Sequence, residues 1–196
     1  LEAFLESLNA ADAVKHEKIK ALYPAEKIDC SRRTIYVPWM GDAAYALVAA
    51  FRACGQPAEV LPIGDAETME IGRKFTSGKE CLPCIITMGD MIKVTRKPGC
   101  DPDKIAFFMP GGSGPCRFGQ YNCSQKLALK DEGLHNIPVI SPSQDDCFYQ
   151  DFKQFRRDPT RLAWDGIAAV DILAKARLKT RPHEVSPGRT ESGRAN

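Results

Sequence analysis

The chain has 196 residues, enough for one domain and a sizeable core without help from disulfides. Its 43% apolar content excludes wholesale disorder. Twenty-seven basic against 25 acidic residues give a net charge of +2, which argues against nucleic acid or a charged membrane surface as the main partner.

Leu1–Leu22 reads as an amphipathic helix through Phe4, Leu5, Leu8, Ile19 and Leu22, ended by Tyr23-Pro24. Thr34–Met40 is β-branched and aromatic and reads as a strand, with Pro38 near the end of its ladder. Asp42 is placed to cap a helix over Ala43–Cys54, closed by Gly55. That helix is apolar nearly all round, so it should lie between other elements. Ala58–Ile63 reads as the second strand. A polar stretch follows Gly64-Asp65, and Cys81–Val94 is the next helix, ended before Pro98-Gly99.

Lys104–Met109 reads as a third strand buried on both faces, and Pro110–Pro115 as a glycine-rich loop. Cys116–Leu134 is expected to be a helix and Pro138–Ser141 a short fourth strand. Thr160–Lys179 is a strongly amphipathic helix, with Leu162, Gly166, Ala169, Leu173 and Ala176 on its apolar face and an Asp171/Lys175 pair on another. From Thr180 the composition turns to Pro, Gly, Ser and charge, and Ser186–Asn196 reads as a tail or linker. The expected organisation is an N-terminal helix and connector over 1–33, an α/β domain over 34–179 and a tail over 180–196. Strands alternating with helices predict an α/β, Rossmann-like parallel sheet of about four strands flanked by helices. The longest unbroken apolar run, Ala43–Phe51, is too short to span a bilayer, and no export signal is visible, which points to the cytoplasm. The first residue is Leu1 rather than Met, which reads as a piece of a longer polypeptide.

Eight cysteines are about twice the usual share, and in a cytoplasmic chain they point to metal binding, redox work or packing. In a parallel sheet, ligands sit at the carboxyl ends of the strands. Cys81 and Cys116 fall there, each at the start of a helix, where the helix dipole favours the thiolate that ligates soft metals and iron–sulfur clusters. Gly111, Gly112 and Gly114 leave backbone N–H groups open to an anionic group, and Lys79 and Arg117 would offset its charge. Gly112, Ser113 and Gly114 with Lys79 and Arg117 are therefore the expected cofactor-binding residues. The bland alternative is two cysteines buried in an α/β core.

Three further alternatives stay open. The glycine loop could cradle phosphate, but it lacks the GK[ST] ending of a P-loop and the third glycine of a dinucleotide fingerprint. Cys81-Leu82-Pro83-Cys84 could be a thiol–disulfide motif, although no buried strand precedes it. Cys81/Cys84 could share zinc with Cys116/Cys123, but the second pair is too widely spaced for a ribbon. Cys123 could line the same pocket as Cys116, Cys147 after strand four is an in-chain candidate for a third ligand, and Cys84 is another. Cys54 is expected to pack at a helix end, Cys30 and Cys100 to be free thiols in connectors, and the three histidines have no role.

The stretches Thr76-Ser77-Gly78-Lys79-Glu80-Cys81-Leu82-Pro83 and Phe107–Tyr121, with Gly114-Pro115-Cys116-Arg117-Phe118-Gly119-Gln120-Tyr121 at their centre, carry a resemblance. So does Trp164-Asp165-Gly166-Ile167 through Arg181-Pro182-His183-Glu184. From about Thr34 to Glu184 the chain resembles the 2-hydroxyacyl-CoA dehydratase-like module associated with ATP-dependent CoA-enzyme activases, specifically its N-terminal half. That resemblance implies an oxygen-sensitive [4Fe–4S] cluster held by three cysteines, the first two at Cys81 and Cys116, 35 residues apart. It implies a third ligand from a second α/β domain in a Pro-Phe-x-Cys-Met-Pro context, which this chain lacks; otherwise Cys147 or Cys84 completes the set. It implies an activase as partner, delivering low-potential electrons at the expense of ATP, and an acyl-CoA as substrate. The enzyme would be a lyase or a component of a low-potential reductase.

Overall fold

The computed structural model describes Cys30, residues 32–142, Phe152, Phe155 and residues 157–192. The expected Leu1–Leu22 helix, Cys147 and the last residues of the tail lie outside the described residues.

Four parallel strands form one sheet, β1 (Thr34–Val37), β2 (Ala58–Val60), β3 (Ile105–Phe108) and β4 (Val139–Ile140), in the order β2-β1-β3-β4. Ile35 pairs with Ala58 and Ala106, and Phe107 with Val139. This is the α/β, Rossmann-like sheet that the alternation of apolar runs predicts. Each strand covers only part of its expected run. All four residues of β3 are buried, as its composition requires of a central strand covered on both sides.

The strands' alternation splits the core into two layers. Ile105, Phe107 and Met109 face Cys84, Met88, Met91, Tyr121 and Leu129. Ile35, Val37, Ala106 and Phe108 face Ala44, Val48, Phe51, Phe152 and Phe155. The second layer is held by edge-on aromatic pairs, Phe51 with Phe108 at 5.5 Å and with Phe155 at 5.2 Å.

Helix α1 (Ala43–Ala53) packs between the sheet and a long helix, as its all-round apolarity requires. Asp42 stands at its N-cap, but its side chain makes no capping bond. Helix α2 (Ala66–Lys74) falls in the stretch read as polar connector. It is capped by Asp65, whose side chain accepts from the Thr68 N–H at 2.9 Å. Helix α3 (Leu82–Thr95) packs closely on it, backbone against backbone at two glycines. A Cβ on Gly72 would stand 2.0 Å from the Ile85 carbonyl oxygen, and one on Gly89 would stand 1.9 Å from that of Thr68.

The helix expected over Cys116–Leu134 starts later. A single 3₁₀ turn, Arg117–Gln120, precedes α4 (Tyr121–Asp131). Helix α5 (Thr160–Thr180) covers α1, and the Asp171–Lys175 pair forms at 2.7 Å. Its expected apolar face is rotated, however. Leu162 and Leu173 are exposed, and the contact side runs through buried Ala163 and half-buried Gly166, Ile167, Val170 and Ala174. The physical reason is close packing: Gly166 lies against Ala46, where a Cβ would meet the alanine Cβ at 3.0 Å. Small residues let the two helices approach, and the larger leucines of the competing stripe stay outside.

The chain beyond Thr180 is not a plain tail. A 3₁₀ turn (Arg181–His183) leads to a short helix α6 (Arg189–Ser192). The Glu184 carboxylate accepts the Gly188 and Thr190 N–H groups, each at 2.8 Å. Among the described residues, no helix is long and apolar enough to cross a membrane.

Candidate functional site

The sheet order places a crossover point between β1 and β3: the chain leaves β1 toward β2 and leaves β3 toward β4 on the other side. Loops diverge there, and helices returning against the strands present their N-termini to the same edge. Both α3 and α4 do so. Cys81 is the N-cap residue of α3 and Cys116 the N-cap residue of the turn leading into α4, and both are exposed. The reading of these two as buried core cysteines is therefore corrected.

Two contacts bring the cysteine segments together. The Arg117 guanidinium donates to the Lys79 carbonyl oxygen at 2.6 Å, so residues beside each cysteine are tied directly. The hydroxyl of Tyr121, the first residue of α4, lies 2.5 Å from Cys81 Sγ. Burial, the Cys81 hydrogen bond and the fields of Cys81, Cys84 and Cys116 together hold the Tyr121 phenol well above its usual range. The Tyr121 ring is almost wholly buried and stacked edge-on against Phe118 at 5.3 Å.

The loops explain the exposure. Gly78 has φ +84°, a left-handed turn that glycine adopts without strain, just before Lys79. Glu80 then ties the turn: its carboxylate accepts from Ser77 Oγ at 3.0 Å and from the Lys79 N–H at 3.1 Å. Hydrogen bonding, first of all from the Ser77 backbone, lowers the Glu80 carboxyl below its ordinary value. Pro83 fits the first turn of α3, where no N–H partner is needed. On the other loop, Gly111 does not offer its N–H to a ligand as expected, because it donates to the Pro142 carbonyl at 2.9 Å and extends the β3–β4 ladder. Gly112 and Gly114 do face open space, with nothing within 4 Å of where a Cβ would stand. Gly119 is required for a different reason: a Cβ there would lie 2.1 Å from the Gly112 carbonyl oxygen, so the loop folds directly over the 3₁₀ turn.

The other cysteines divide by burial. Cys84, one turn inside α3, is buried against Met88 and the sheet, and burial, with the fields of Cys81 and Glu80, pushes its thiol up to about 11. Cys54 packs at the end of α1, its Sγ 3.7 Å from the Asp158 carbonyl oxygen. Cys30, expected in a polar connector, is instead buried beside Ile35 and Phe51; Cys100 is half-buried. Cys123 is half-buried on α4.

Expected charge compensation by Arg117 takes another form, since its guanidinium clasps the opposite loop; Lys79 and Ser113 are exposed beside the two cysteines. Among the described residues, no group of three or more His, Cys, Asp or Glu side chains is disposed to hold a metal ion. Two exposed thiols at paired helix starts, an uncrowded Gly112–Gly114 backbone and a clasp between the loops fit one side of a thiolate-ligated group. They do not make a complete ligand set. A cleft of about 400 Å³ lined by Glu67, Glu70, Lys74, Lys93, Arg96 and Lys97 lies at the other end of α3. Lys74 pairs there with Glu70 at 3.0 Å and Lys93 with Glu67 at 2.7 Å, so these cations are already satisfied.

Sequence reasoning included Tyr121 in the Phe107–Tyr121 stretch but gave it no role of its own. No spacing rule marks it, because an aromatic at a helix start reads as core, and only the fold shows that its hydroxyl reaches the neighbouring helix. Comparison of the chain with protein-family models, with curated proteins and with solved structures returned no match.

Proposed function

We propose that this chain is one half of a [4Fe–4S] site in a 2-hydroxyacyl-CoA dehydratase-like, activase-associated protein, with Cys81 and Cys116 as two of three thiolate ligands. The observation that supports this most is the pair of contacts joining the two cysteine segments: the Tyr121 phenol is bonded to Cys81 Sγ, and Arg117, next to Cys116, clasps the loop before Cys81. The third ligand would come from a second α/β domain, with Cys147 as the in-chain alternative.

Such a cluster would supply low-potential electron transfer, and an iron position without a protein ligand would supply Lewis acidity. The chain's own residues would present two exposed sulfurs, one at the N-cap of α3 and one at the start of the 3₁₀ turn that leads into α4. The Gly112–Gly114 backbone would approach an anionic group without side-chain obstruction, and Lys79 would add positive charge at the rim. The Arg117 clasp would hold the two ligand segments at fixed separation. An ATP-dependent activase as electron donor and an acyl-CoA as substrate complete the proposal, and the cytoplasm is the compartment that suits it.

The test is anaerobic iron and sulfide analysis with electron paramagnetic resonance. It is done on the chain alone and on the chain with a second cysteine-bearing α/β domain, in cis or in trans. Iron only with the second domain supports the half-site, and iron in the chain alone assigns the third ligand to Cys147 or Cys84. Iron in neither, or wild-type iron in Cys116→Ala, refutes the proposal.

A thiol–disulfide function has one observation in its favour. Cys81 is exposed at a helix N-cap while Cys84 is buried one turn deeper, the arrangement of an attacking and a resolving thiol. A single defined two-electron potential for the Cys81/Cys84 pair, in a chain that takes up no iron, would favour it.

A further inference from the structure

Tyr121 is nearly fully buried, yet its one polar atom is aimed at a sulfur. The ring is fixed on one side by Phe118 and embedded in the layer that holds Cys84 and Met88, so the hydroxyl has little freedom. A phenol that only filled space would be served equally by phenylalanine, and burying an extra hydroxyl costs free energy unless it is bonded. Its partner is Cys81 Sγ at 2.5 Å, contributed by a different crossover of the fold. In the free thiol either atom can donate. A ligating thiolate has no proton, so at neutral pH the phenol must be the donor.

We infer that Tyr121 is a positioning residue for Cys81: its O–H donates to the Cys81 sulfur, fixes the orientation of that side chain at the start of α3, and draws electron density from the sulfur. This rests on the cluster proposal above for its consequence, but the hydrogen bond itself does not. Hydrogen bonds to ligand sulfur are one of the levers by which a protein raises the potential of an iron–sulfur centre. The Tyr121 hydroxyl therefore holds the potential higher than the two thiolates alone would.

Two measurements on Tyr121→Phe test this, with Phe118→Leu as a packing control that keeps the hydroxyl. In the metal-free, reduced chain, Cys81 is alkylated with iodoacetamide at fixed neutral pH and its rate read by peptide mass spectrometry. The expected result is a rate at least threefold lower in Tyr121→Phe and near wild type in Phe118→Leu. In the iron-loaded protein with its second domain, the midpoint potential, followed by electron paramagnetic resonance, is expected to move to more negative values in Tyr121→Phe alone. An unchanged alkylation rate overturns the inference, as does an equal potential shift in both variants, which would make the effect one of packing. A slower rate with no iron in any form keeps the Tyr121–Cys81 bond and refutes the cluster.

Discussion

The Arg117 guanidinium donates to the Lys79 carbonyl oxygen at 2.6 Å, joining the residue after Cys116 to the residue two before Cys81. A charge-assisted bond at an exposed position contributes only about 1 kcal/mol to folding. Its greater effect is on the separation of two loops. Arg117→Met should leave urea unfolding within about 1 kcal/mol of wild type and lower iron uptake severalfold. Wild-type uptake in that variant would show that the clasp has no bearing on the site.

The carboxylate of Asp90 is buried in α3 and accepts from Thr68 Oγ1 at 3.0 Å, while its other oxygen has no partner. Burial raises its pKa to about 6, against the opposing pull of the Thr68 bond and of Lys93. A carboxyl with a raised folded-state pKa favours the fold in its protonated form. Its contribution is complete below the unfolded value near 4 and is lost as pH rises through about 6. Denaturant unfolding at pH 4 and pH 7.5 should show a loss on the order of 2 kcal/mol that Asp90→Asn largely removes. Parallel pH profiles for the two proteins would contradict the assignment.

Helices α2 and α3 meet at Gly72 and Gly89, where an added Cβ would lie 2.0 and 1.9 Å from carbonyl oxygens. Backbone cannot yield as a flexible side chain can, so Gly89→Ala should destabilise by about 3 kcal/mol, at the upper end of overpacking effects. Because α3 carries Cys81 at its start, the same variant should also change the alkylation rate of that thiol. A stability within 1 kcal/mol of wild type, as order of magnitude, would show that the helices slide apart freely.

Cys84 and Cys81 differ by one helical turn and by environment. With its thiol pushed up to about 11 and its side chain buried, Cys84 should resist alkylation at pH 8 in the folded chain, while Cys81 and Cys116 react. Mass spectrometry before and after unfolding in urea reads this directly. Labelling of Cys84 at the rate of Cys81 in the native protein would mean that α3 frays through its first turn.

The strands were legible because β-branched and aromatic runs sit between glycine and proline, and a central parallel strand must be apolar throughout, as β3 is. Helix α2 was not, since only Thr68, Ile71 and Gly72 are buried on it and a glycine makes its closest approach to α3, which leaves no apolar stripe to read. The Asp65 cap was the signal present in the sequence. On α5 two apolar stripes compete, and only the close approach of Gly166 to Ala46 selects between them. At the site, helix-start cysteines and a glycine loop were visible as residue types. The commitment of Gly111 to the sheet and of Arg117 to the opposite loop depends on tertiary contacts that no local pattern encodes.

Cys81 and Cys116 stand on opposite sides of β3 in the sequence, one on the crossover into that strand and one on the crossover out of it. Their segments are joined, through Arg117 and Tyr121, only after β3 has inserted between β1 and β4. Any ligand that bridges the two sulfurs therefore binds the native state and not the unfolded chain, and its free energy of binding adds to that of folding by mass action. Occupancy would act as a latch on the central strand, and the sheet would in turn gate access of the ligand.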